Sequence, residues 1–187
     1  MNLNMIFLKN IILLLISPGE GWKDIGKYTI PNNLLLGKLF YPSIGILALT
    51  SFIPYILGYI NFSLQNVIIA AMIDFVKFFI SMFAISYFVT GFYSDLFKKK
   101  TEINKINNFI VYNLTILVVF NILRILMPGF PFFDIFPLYI IYVVYRGLSY
   151  LNIPDARKKG FVSIVSLLLL IVPNGIKLIL DLLIPNP

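Results

Sequence analysis

Six charged residues sit where the chain is otherwise apolar: Asp74, Lys77, Arg124, Asp134, Lys177 and Asp181. Asp74 and Lys77 are three residues apart, so on a helix they share a face and can pair. A charge at a bilayer centre costs about 2.5–3.5 kcal/mol even on the lenient insertion scale, and such residues mark ion pathways, proton relays or paired networks. With three acids and three bases, the set carries no net charge. Catalytic chemistry has little else to use. The 187 residues include no cysteine and no histidine, which removes thiol nucleophiles, imidazole acid–base chemistry and Cys or His metal ligands together. There is no phosphate-cradling glycine loop and no nucleophile elbow. Neither an enzyme nor a metal or cofactor is therefore expected.

The elements that must hold these charges follow from composition. Hydrophobic residues make up 59% of the chain and charged ones 12%, with a mean hydropathy of +0.92, whereas soluble domains are about one-quarter charged. Apolar stretches of this length belong in lipid, where the backbone must satisfy its own hydrogen bonds. The stretches are continuous rather than alternating, which selects helices over a barrel. The expected fold is all-α: one membrane domain over residues 1–187, a polytopic bundle of about five spans plus an N-terminal interfacial helix. The spans are expected at about 39–60, 66–92, 109–127, 133–151 and 161–184.

Residues 1–38 make a cytoplasmic or interfacial segment. Met5 to Ile16 is apolar but short and interrupted by Lys9, and no small-residue cleavage site follows it, so it reads as a helix in the interface or packed on the bundle. Ser17-Pro18-Gly19-Glu20 reads as a helix start, with Ser17 as N-cap, Pro18 at the first position and Glu20 closing a capping box. Trp22, the only tryptophan, is expected as an anchor at the headgroup level.

Basic residues set the orientation. The N-terminal segment holds Lys9, Lys23, Lys27 and Lys38; the second loop holds Lys98, Lys99, Lys100 and Lys105; the fourth holds Arg157, Lys158 and Lys159. The first and third loops and the tail Pro185-Asn186-Pro187 hold none. Eleven of 15 basic residues on one side predict a cytoplasmic N-terminus and an outside C-terminus. The +7 formal charge then suits anionic lipid headgroups at the cytoplasmic loops and not nucleic acid. Asn61-Phe62-Ser63 matches a glycosylation acceptor in a loop too tight for use.

Helical spacing points the six charges inward. Asn66, Ala70, Asp74, Lys77, Ser81 and Ala84 form one small-and-polar stripe; Asn113, Asn121 and Arg124 form a second; Ser163, Ser166, Asn174, Lys177 and Asp181 a third. Such stripes face other helices. Pro54 interrupts the first span, and a helix break is expected at Pro173, Asn174 and Gly175, beside Lys177. A broken helix next to intramembrane charge is what transporters use to bind substrates; the alternative is a packing kink beside a structural network of ion pairs.

Two stretches carry a family likeness. Ser17-Pro18-Gly19-Glu20-Gly21-Trp22-Lys23-Asp24-Ile25, ahead of about five spans, resembles the opening of bacterial Yip1-domain proteins, and Tyr142-Val143-Val144-Tyr145-Arg146-Gly147-Leu148-Ser149-Tyr150-Leu151 resembles the end of their fourth helix. The resemblance implies a five-helix protein of the bacterial inner membrane with its N-terminus inside. Eukaryotic members are linked to Rab-type GTPases and vesicle traffic and carry an acidic motif before the spans; that motif is missing here, and the trafficking role is not carried over. The expected function is non-enzymatic organisation of membrane or protein partners, among them the lipid bilayer and a protein partner or second copy. The alternative is a small transporter or channel with a polar cavity in the outer half.

Overall fold

The computed structural model describes residues 3–28, 30–58, 63–96 and 100–184. Asn61 and Phe62 of the acceptor triplet, the Lys98-Lys99 cluster with the Lys100 side chain, and the tail Pro185-Asn186-Pro187 lie outside the described residues. All regular structure among the described residues is helical. A short helical hairpin, α1 (Leu3–Ile16) and α2 (Pro18–Gly26), precedes five helices long and apolar enough to cross a membrane: α3 (Asn32–Ile56), α4 (Leu64–Phe92), α5 (Lys100–Leu126), α6 (Pro131–Leu151) and α7 (Asp155–Leu183).

α5 stands at the centre, with Ile106 and every residue from Asn108 to Val118 buried, as a helix apolar nearly all round over that stretch requires. α4 packs on α3, α5 and α7, while α6 packs on α5, α7 and α2. The hairpin closes one face of the bundle, called here the near face, where α3, α5 and α7 begin and α4 and α6 end. α1 turns Phe7, Asn10, Ile11 and Leu14 onto the bundle and leaves Met5, Leu8, Ile12 and Ile16 exposed.

Local chemistry explains the irregular places. Pro42 has no amide to offer the carbonyl one turn back, and the helix widens into a π turn over Leu36–Phe40, with the Tyr41 N–H donated to the Leu36 carbonyl. Gly58, at φ +74°, ends α3 in the left-handed region that favours glycine. Pro131 and Pro137 hold the start of α6 in two 3₁₀ turns, Pro131–Asp134 and Phe136–Leu138. Asn152 ends it at φ 55°.

Several ends differ from the sequence expectation. α3 starts at Asn32, so residues 32–38 are helical. α5 and α7 start at Lys100 and Asp155, carrying Lys105 and the basic run Arg157-Lys158-Lys159 in their first turns. Charged turns can extend a helix beyond its apolar part wherever water or headgroups solvate them. At α2, Ser17 is the N-cap by position, but its side chain makes no capping bond. Glu20 pairs instead with Lys23 at 3.1 Å, so no capping box forms.

Candidate functional site

The small-and-polar stripe of α4 faces the bundle. Lys77 and Asp74 form an ion pair with side chains only 6% and 15% exposed, and the Ser51 hydroxyl donates to the other Asp74 oxygen at 2.6 Å. Ser51 is available because α3 loosens at Ser51-Phe52, just ahead of Pro54. A buried pair carrying this extra hydrogen bond is compensated; removal of one partner strands the other charge at a cost of about 3–5 kcal/mol.

The other four charges do not join it. Arg124 and Asp134 approach to 3.7 Å with side chains 53% and 69% exposed. Lys177 and Asp181 pair along α7 at 2.6 Å, 42% and 37% exposed. The single buried network expected from the sequence is thus three separate pairs, of which one is buried. The cause lies in α7, which packs through Phe161, Val165, Ser166, Leu169 and Pro173. Ser163, Asn174 and Asp181 of its polar stripe are exposed.

The expected helix break is also absent. Pro173 lies inside a helix continuous from Asp155 to Leu183, through Asn174 and Gly175. Pro173 is buried against neighbouring helices, and Asn174 returns its side-chain amide to the Leu170 carbonyl at 2.7 Å. Packing of this kind lets membrane helices carry proline. A cleft of about 310 Å³ lies beside it, lined by Lys77, Asn121, Arg124, Asp134 and Asn174 among Phe, Leu and Pro walls.

The Trp22 ring faces protein and not lipid. It is 1% exposed, stacked on Phe109 and Tyr150 at centroid distances of 4.8 and 5.3 Å, with Tyr112 edge-on at 6.1 Å. Its indole Nε1 donates to the Val143 carbonyl at 2.9 Å. Gly147 makes the room: a Cβ there would come within 2.9 Å of the Trp22 ring and closer still to Phe109. Two residues further along α2, Asp24 accepts from Lys9 at 2.8 Å and from Lys27 at 2.9 Å. These two bonds, Lys9 first, hold the Asp24 carboxyl below its ordinary 3.8, and the same contact raises Lys27 above 10.5.

The indole therefore joins the two stretches that carry the family likeness, and a family model for the Yip1 domain matches residues 12–174. The chain belongs to the Yip1-domain family. It is an integral membrane protein. No curated protein and no solved structure matches it. The matched part of this Yip1-domain chain contains Trp22, Val143, Gly147 and the Asp74–Lys77 pair, and it stops short of Lys177 and Asp181.

Several polar contacts of the bundle escaped the sequence reading. Ser51 gave no sign beyond its closeness to Pro54. Asn10, buried in the apolar α1, donates to the Tyr112 hydroxyl at 3.3 Å; an amide in an otherwise apolar helix was the available signal. Asn104 and Asn108 both donate to the Ile30 carbonyl, at 2.9 and 2.7 Å, and Asn104 accepts from the Asn32 amide at 2.8 Å. Their spacing of four on α5 placed them on one face, but nothing local pointed to Ile30.

Proposed function

We propose that this Yip1-domain protein is a non-enzymatic membrane organiser, holding lipid or protein partners around a static bundle whose N-terminus is cytoplasmic and whose C-terminus is outside. The observation that carries the reading is the neutralisation of the six span charges in three pairs within the chain. Lys77, the one buried cation among the described residues, is held by an acid that is itself held by Ser51. A working transport site needs groups free to change partners, and this geometry occupies them. The orientation rests on the basic residues gathered at the near face.

A second reading, a small transporter or channel, draws on the cleft that brings Lys77, Arg124 and Asp134 to a common polar wall. Reconstituted vesicles separate the two. Ion or proton flux is expected to equal that of empty vesicles; flux above that level, abolished by Lys77→Leu, would establish transport and end the organiser reading. For orientation, a reporter fused after Pro187 should be found outside, and activity on the cytoplasmic side would refute it.

A further inference from the structure

A large hollow lies at the near face. It measures about 940 Å³, and its walls come from α2, from the chain entering α3, from the first turns of α5 and from the last turn of α6. Because those walls are the ends of three membrane helices, the hollow is level with the headgroups of one leaflet, whichever side of the membrane that leaflet faces.

Its lining has a definite chemistry. Lys23, Lys27 and Lys105 reach it, and no Asp or Glu is among its lining residues. Lys23 and Lys27 each share one carboxylate, Glu20 and Asp24. Lys105 has no ion-pair partner among the described residues. Trp22, Tyr28, Ile30 and Tyr150 supply an apolar floor. Asn108, 3% exposed, is on the same wall: its amide nitrogen is committed to the Ile30 carbonyl, which fixes the side-chain orientation, and its Oδ1 has no donor. An adjoining hollow of about 650 Å³ shares Lys23, Ser149 and Asn152 and adds Arg146 and Lys158, together with Asp155.

We propose that this hollow seats the phosphodiester headgroup of an anionic glycerophospholipid. The lysines take the phosphate, and the aromatic floor takes the glycerol and upper acyl carbons. A soluble phosphate ester shares the anionic part of this chemistry but lacks the acyl carbons, and nothing would hold it at the bilayer level. The site goes beyond the organiser reading and does not depend on it, since a transporter could carry the same seat.

The full-length protein, purified in detergent with equal amounts of phosphatidylglycerol and phosphatidylcholine, is examined by native mass spectrometry. Phosphatidylglycerol should be retained in preference to phosphatidylcholine. Lys105→Gln, which breaks no ion pair among the described residues, should lower that retention about fivefold, the effect of one lysine near an anionic surface. Gly26→Leu should also lower it by filling the hollow without altering charge. Lys159→Gln removes the same charge from the same rim outside the hollow and should leave retention unchanged. Trp22 emission equal to that of the parent certifies that α2 is docked in each variant. Equal losses in Lys105→Gln and Lys159→Gln, or no preference between the two lipids, would overturn the seat. Displacement of the lipid by millimolar glycerol 3-phosphate would assign the hollow to a soluble phosphate ester and overturn the lipid assignment.

Discussion

Trp22 and Val143, 121 residues apart, are joined by a hydrogen bond of 2.9 Å from the indole Nε1 to a helix carbonyl. That carbonyl already accepts the Gly147 amide at 3.0 Å, so the indole uses its second lone pair and breaks nothing in α6. The bond and the three aromatic contacts around it dock the N-terminal hairpin on the bundle.

The docking can be dissected by size and polarity. Trp22→Phe keeps most of the ring contacts, leaves Val143 bonded to Gly147, and should cost about 1 kcal/mol. Trp22→Ala empties the socket and should cost about 3–5 kcal/mol. Gly147→Ala pushes a methyl group into the same socket and should cost about 1–3 kcal/mol. Thermal unfolding in detergent ranks them; a neutral Gly147→Ala would contradict the packing described.

The buried pair predicts strong coupling. Asp74→Leu or Lys77→Leu alone should each destabilise by about 3–5 kcal/mol, and the double replacement should recover most of that loss. Arg124→Gln, at a long and exposed contact, should cost about 1 kcal/mol or less. A double variant as unstable as the sum of the singles would mean that the two charges act independently.

Acid should loosen the hairpin. The Asp24 carboxyl titrates below 3.8 in the folded protein because Lys9 and Lys27 bond to it. Its contribution is therefore complete above the unfolded value and is lost as pH falls through the folded one. Lys27, raised above 10.5 by the same contact, contributes fully below that value and loses its share as pH rises through the folded one. Trp22 fluorescence should shift to longer wavelength below about pH 4, and Asp24→Asn should remove that pH dependence. An unchanged acid profile in Asp24→Asn would assign the loosening to other groups.

The shared carbonyl of Ile30 predicts a further non-additivity. Asn108→Ala leaves Asn104 bonded there and should cost about 1 kcal/mol. Either single leaves the Ile30 carbonyl one donor and only the double strands it, so the Asn104→Ala/Asn108→Ala pair should lose more than the sum of the singles. Additive losses in thermal unfolding would show that the two amides do not substitute for one another.

The helical membrane class was legible without coordinates, because continuous apolar stretches leave the backbone no other way to satisfy itself in lipid. The facing of Asp74 and Lys77 was legible too, since helical spacing puts residues three apart on one side. The inward face of α7 was not. Apolar side chains are equally at home against lipid and against protein, so Phe161, Val165 and Leu169 carry no mark of their burial, and the polar spacing of Asn174, Lys177 and Asp181 pointed the wrong way. Pro173 read as a break because proline removes a hydrogen bond locally; packing against neighbouring helices lets the helix continue through it. Trp22 read as an interfacial anchor because a lone indole in a short glycine-rich helix has no local partner. Its partners are Phe109, Val143, Gly147 and Tyr150, and only the packing of α2 against α5 and α6 brings them together. Hydropathy and periodicity thus determined what crosses the membrane, whereas tertiary packing decided which charges meet, which helix faces turn inward and where the tryptophan goes.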